Sequence, residues 1–359
     1  MTPKLKINKL LQLIGANEDT SFEYDEARAI AAMEKHHAAY SNIIIKVLSI
    51  IGGLLAALAL IGFLFLAGIY ESEQALLVVG LLFAIGSILA SRAIDHVFLD
   101  TTVITFYATG LILVAVGMMA LEYSFESSIL LVALLSCIGI FLSKGYMMVL
   151  TAVISLNATI VIFVMERLPT MVLLPVLLIG VVLFVITSLE AKLITGSKIV
   201  NSLFAPLQAG YFISFLCCML FITMGHTFGL FMFYHNPVVL SIGIDVGILL
   251  LITKIINKMA VRELKHIVMI YAFALLILAS VFYAPYIAGA LFILILTYYY
   301  GYKAQVVISF VALLYFVFKF YYDLQMSLLV KSGLLFVPGV IMIALWFYVT
   351  KQLKHHEEN

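Results

Sequence analysis

Apolar residues in this chain come in long unbroken runs, separated by short polar breaks, and not in the one-sided stripes of a soluble helix. A helix needs about 20 residues to cross about 30 Å of hydrocarbon. The runs predict membrane-spanning helices near 43–69, 75–94, 102–121, 127–143, 146–165, 170–189, 203–224, 230–252, 266–284, 286–301, 304–320 and 328–350. Several breaks are so short that neighbouring helices must form antiparallel hairpins. The fourth, tenth and eleventh runs are short, and Ala284-Pro285-Tyr286 divides the ninth from the tenth, so the reading spans ten to twelve helices. The fold class is all-α: a polytopic helical membrane bundle.

Residues 1–42 are the one sizeable polar segment. Leu5, Ile7, Leu10, Leu11, Leu13 and Ile14 interleave with lysines and predict a short amphipathic helix stopping near Gly15. Thr20-Ser-Phe-Glu23 is a capping-box pattern that would open a second helix through about Tyr40. The segment reads as a solvated cytoplasmic lead-in, or alternatively as a basic arm on anionic lipid. No early apolar core with a cleavage site is present, so the first span is expected to act as its own insertion signal. The bundle then occupies 43–350, and 351–359 form a cytoplasmic tail.

Composition strengthens this picture. Hydrophobic residues are 65% of the 359 and charged residues 11%, whereas a soluble domain carries about a quarter charged. The net charge of +1 gives no field that would draw nucleic acid. Threaded from a cytoplasmic N-terminus through twelve spans, seventeen of the twenty Lys and Arg fall inside; Arg167, Lys319 and Lys331 fall outside. Untranslocated loops retain Lys and Arg, so the bias supports twelve spans with both termini in the cytoplasm. Tyr298, Tyr299, Tyr300 and Tyr302, and Trp346, Phe347 and Tyr348, crowd helix ends and read as headgroup-layer anchors.

Polar residues within the runs carry the chemistry. Asp245 lies eight residues before Thr253, where a basic loop is expected, or roughly 12 Å from the inner end of its helix. An Asp at mid-helix costs about 2.5–3.5 kcal/mol on insertion scales. A partner, a water-filled cavity or protonation must offset that cost. Gly243 and Gly247 flank it in GxxxG spacing, about 160° away around the helix. Ser241 and Tyr234 share the Asp face, His235 lies off it, and Pro237 is expected to kink the helix or free a carbonyl. The stripe is either the wall of a cavity with a titrating carboxyl, or a hydrogen-bonded lock between helices. Asn157 and Gln208 are its candidate partners, though buried amides more often serve as inter-helix glue. A second cluster, Lys319, Tyr322, Asp323 and Lys331, falls at outer helix ends. Lysines there can snorkel and pair with Asp323, and an anion contact is the alternative.

Motifs for nucleotide binding, zinc proteolysis and serine hydrolysis are absent. Cys137, Cys217 and Cys218 lie in apolar runs, without metal-ligand spacing. The histidine pairs His36-His37 and His355-His356 lack further ligands in sequence. No cofactor, no metal site and no catalytic role are expected.

Two stretches carry a family resemblance. One runs from about Ile45 to Gly117, through Leu48-Ser-Ile-Ile-Gly-Gly-Leu-Leu-Ala-Ala-Leu, Ala75-Leu-Leu-Val-Val-Gly80 and His96-Val-Phe-Leu-Asp100. The other is Tyr321-Tyr-Asp-Leu-Gln-Met-Ser-Leu-Leu-Val-Lys331-Ser332. Together they resemble the bacterial polytopic family known as domain of unknown function 4401, related to family 2157. The resemblance implies a multi-pass protein of the bacterial cytoplasmic (inner) membrane, often found beside a small GDYxxLxY-type membrane protein, and brings no assigned activity. It adds weight to Asp100, Tyr322 and Lys331.

Two functions fit these observations. One is a transporter- or permease-like bundle in which protonation of Asp245 is coupled to rocking of two halves around an unidentified small molecule or ion. The other is a non-catalytic scaffold or assembly partner for a small membrane protein. In both, the lipid bilayer is the medium and nucleic acid plays no part.

Overall fold

The computed structural model describes residues 72–93, 97–190, 198–225, 237–259, 263–282 and 284–323, with isolated positions among 52–68 and at Leu193 and Val340. Among them are ten α-helices: α1 Glu73–Ala93, α2 Val97–Ala120, α3 Phe125–Leu142, α4 Tyr146–Arg167, α5 Leu173–Ser188, α6 Lys198–Gly225, α7 Pro237–Lys258, α8 Leu264–Val281, α9 Pro285–Tyr300 and α10 Lys303–Asp323. They correspond one for one to the second through eleventh apolar runs. Nine are long and apolar enough to cross a membrane, and α9 is shorter. The 1–42 segment, the tail and most of the first and last runs lie outside the described residues, as do the side chain of Asp100, Tyr234, His235 and Lys331.

The chain divides into two units, residues 1–148 and 149–359. In the first, α1 and α2 approach so closely that backbone meets backbone. A Cβ added to Gly110 would lie 2.6 Å from the backbone nitrogen of Ala84, and one on Gly80 2.7 Å from that of Val114. Only glycine leaves room for this. Phe83 packs edge-on to Phe106 beside the contact. Tyr107, fully buried, reaches across α2 to the Leu135 carbonyl of α3 at 3.4 Å. Ser124 caps α3, its hydroxyl accepting from the Ser127 amide. The Arg92 side chain donates to the Leu142 carbonyl, which joins the last turns of α1 and α3. Those two helices therefore run parallel, as the alternating threading requires.

In the second unit α9 is the hidden element. Ala288, Ala290, Ile293 and Leu296 are completely buried, enclosed by α6, α7 and α10. At 16 residues α9 is roughly 24 Å long. Protein surrounds it, so it need not match the thickness of the lipid. Pro285 opens it where a missing N–H costs nothing. Gly301, at φ 80°, ends it, with the Tyr302 amide returning to the Thr297 carbonyl at 2.9 Å. Two residues then suffice to reach α10. Outside the core, α8 is the loosest helix, with only Ala274 and Leu278 buried.

Two expectations concern the ends of α7. Pro237 is the first residue of α7 as described, and the residues before it, which a kink there would involve, lie outside the described residues. The same helix runs past Thr253 to Lys258, because Lys254 and Lys258 find aromatic faces along it. A proline does sit inside a helix, at Pro206 of α6.

The Gly110 contact can be tested against a glycine on the same hairpin with open space around it. Gly110→Val should destabilise the detergent-purified protein by about 1–3 kcal/mol, a drop of several degrees in Tm. Gly86→Ala, whose added Cβ meets nothing within 4 Å, should leave Tm unchanged or slightly raised.

Candidate functional site

Helix α7 presents a buried face and an exposed face. Leu240, Ile244, Ile248 and Leu251 are buried in the core of the second unit, whereas Ile242, Val246 and Leu250 are exposed. Asp245 falls at the border between these faces and is itself half-buried. Its Oδ1 is closed off and has no hydrogen-bond partner. The carboxyl stands eight residues from the start of α7, or about 12 Å along the axis. It is thus nearer the Pro237 end than the Lys258 end, because the helix continues past the expected loop.

Ser241, one turn earlier, is fully buried and donates to the Phe282 carbonyl at 2.6 Å. That bond fastens α7 to the end of α8. A second hydroxyl pair, Thr253 Oγ1 and Tyr271 Oη at 2.7 Å, joins the same helices further along. Asp245 lies between the two fastenings. Gly243 and Gly247 lie on the opposite side, as expected, but side chains fill their hollows: Leu177 of α5 meets Gly243, and the Phe292 ring of α9 comes within 3.0 Å of a Cβ added at Gly247. The spacing serves packing inside the unit.

The two amides expected near the Asp are engaged elsewhere. Asn157 Nδ2 donates to Ser214 Oγ at 3.1 Å, tying α4 to α6. Gln208 and Gln305 form a reciprocal pair between α6 and α10, at 2.9 and 2.7 Å. Asn157 and Ser214 also help line an apolar cavity of about 290 Å³ between α4, α5 and α6, which Cys217 and Cys218 border. In the outer cluster Lys319 Nζ pairs with Asp323 Oδ1 at 2.6 Å, one turn apart on α10, and Tyr322 is exposed. An i,i+4 pair of this kind contributes only a few tenths of a kcal/mol.

One cluster went unread in the sequence. Lys254 Nζ donates to Ser188 Oγ of α5 at 2.7 Å and to Tyr300 Oη of α9 at 3.4 Å, and lies 4.7 Å from the centre of the Phe184 ring. Lys258 lies over the Tyr299 ring, also at 4.7 Å. Nearby, burial, and then Glu190, raises the Tyr302 hydroxyl above the usual phenol range, so it stays protonated. Two of the tyrosines expected as membrane anchors, Tyr299 and Tyr300, contact lysines here, whereas Tyr298 is exposed. The four-residue spacing of Lys254 and Lys258, one helical turn, was the available signal.

Comparison with known proteins gives one match. The model of a family described as Domain of unknown function (DUF4401) covers residues 43–352, with Asn157, Gln208 and Asp245 inside the matched range. No curated protein matches. No solved structure matches.

The reciprocal amide pair between α6 and α10 invites a double-mutant cycle. Gln208→Leu or Gln305→Leu alone strands the other amide and should cost about 1–2 kcal/mol in unfolding stability. The double variant should recover part of that loss. Additive losses would mean that the two amides are not coupled.

Proposed function

We propose that this chain, which belongs to the DUF4401 family, is an integral membrane protein that moves a small molecule or ion across the bilayer in step with protonation of Asp245. The observation that carries this reading is the buried Asp245 oxygen with no hydrogen-bond partner. A carboxyl in hydrocarbon that is neither paired nor fully wetted is costly when ionised and cheap when neutral. A structural lock would have used its acceptors, as Gln208 does when its Oε1 accepts from Gln305 Nε2.

The surroundings supply a moving part. Helix α8 has little buried surface, and the hydroxyl bonds of Ser241 and Thr253 couple it to α7. Displacing α8 would open the border where Asp245 sits and admit water to the carboxyl. Its return would exclude water and favour the neutral form. In this scheme Asp245 holds and releases the proton, and Ser241 transmits the position of α8. The same reading puts the protein in a bacterial cytoplasmic (inner) membrane, as the resemblance noted in the sequence implies.

A hydrophobic carbodiimide, which modifies protonated carboxyls in apolar surroundings, offers a direct test. Wild-type protein in lipid vesicles should be labelled at Asp245, less so as pH rises, and Asp245→Asn not at all. Vesicles containing Asp245→Asn should also lose any protein-dependent proton uptake, while the variant keeps its unfolding temperature. Labelling that never reaches Asp245, or proton uptake unchanged in Asp245→Asn, would overturn the proposal.

A further inference from the structure

The ends of α5, α7 and α9 meet at Lys254, and the meeting point has more hydrogen-bond donors than acceptors. An ammonium carries three donors and no acceptor. Two of the Lys254 protons go to Ser188 Oγ and Tyr300 Oη. Each hydroxyl therefore spends its oxygen as an acceptor and keeps its own hydrogen to donate. Neither hydrogen has an acceptor among the described residues, and the third ammonium proton is also unspent. One turn further along, Lys258 adds a second positive charge, held over Tyr299.

The charge is likewise uncompensated. Among the described residues no carboxylate pairs with either ammonium; the ion pairs lie elsewhere, at Glu263–His266 and Lys319–Asp323. Glu190, at the same end, acts on Tyr302 instead. Lys254 is half-buried. A cation withdrawn from water without an anion is poorly offset by ring faces and neutral hydroxyls alone. Headgroup-snorkelling lysines extend into solvent, whereas this one is folded against Phe184, Ser188 and Tyr300.

We infer that Lys254 and Lys258, with the hydroxyls of Ser188 and Tyr300, form a seat for a phosphate group at the end of the α5–α7–α9 cluster. A phosphate offers several acceptor oxygens to the unspent donors and negative charge to the two ammoniums. Its source is either the headgroup of an anionic phospholipid or a free phosphate-bearing solute. The ring faces of Phe184 and Tyr299 orient the lysines before the anion arrives. The inference does not depend on the role given to Asp245.

Native mass spectrometry of the detergent-purified full chain separates the outcomes. Phosphatidylglycerol should bind at least about tenfold more tightly than phosphatidylcholine. Lys254→Gln and Lys258→Gln should each weaken that preference about tenfold, the scale of one charge-assisted bond. Lys265→Gln, at an exposed lysine outside the seat, should not. Lys258 is exposed, so its variant reads the seat even if Lys254→Gln fails to fold. Inorganic phosphate at millimolar concentration is the second arm. If it displaces phosphatidylglycerol, or binds where the lipid does not, the seat takes free phosphate. If only the lipid binds, the headgroup is the ligand. Binding of neither probe, equal binding of the two lipids, or a preference unchanged in Lys258→Gln would overturn the inference.

Discussion

Helices in hydrocarbon gain nothing by hiding apolar surface from one another, because the lipid is as apolar as leucine. Everything that holds this bundle together must come from fit and from polar groups with nowhere else to go. Fit is clearest at α1 and α2, where Gly80 and Gly110 bring two backbones into contact. It recurs at Gly289, whose missing side chain leaves room for Met219, and at Gly180 beside the Phe215 ring. Polar groups do the rest sparingly. Most hydroxyls, including Thr187, Thr223 and Thr297, return to a carbonyl one turn back in their own helix. The few that cross between helices, Ser241 and Tyr107 among them, fix where one helix lies against the next.

Against that economy, two groups stand apart. Asp245 has an acceptor with no donor, and Lys254 meets two neutral hydroxyls and a ring face but, among the described residues, no anion. They lie on opposite sides of α7, nine residues or roughly 13 Å apart along its axis. They do not neutralise each other. Each asks for something the described protein does not provide: a proton in one case, an anion in the other. Structural polar groups elsewhere in the unit, such as the Gln208–Gln305 pair, are closed in the same sense.

The helices were legible because one signal, run length against bilayer thickness, suffices to place them. Even α9, doubtful for its shortness, was found in place, since a helix wrapped in protein is freed from the thickness that sets the others. Ends were harder to read. Pro237 permits either a kink or a start, and α7 is described from Pro237 onward. Lys254 and Lys258 were read as loop charges because hydropathy falls where they begin, although the helical ladder continues beneath them. The polar site was legible only in part. Asp245 and Ser241 share a face, as 100° per residue dictates. The partners of Asn157 and Gln208 could not be read, because apolar helices match one another too easily to reveal which sides meet. Ser214 and Gln305 carry no mark in sequence that sets them apart from other buried polar residues.

The shortness of α9 bears on how the protein is made. A 16-residue apolar segment left alone in a bilayer would thin the membrane around it or slide toward one surface. Gly301 and Tyr302 tether it to α10 with almost no slack, so the two must enter the membrane as a folded-over pair. The longer partner carries the shorter one to its depth. Helices α6 and α7 precede α9 in the chain, so two of the walls that enclose it are made before it follows.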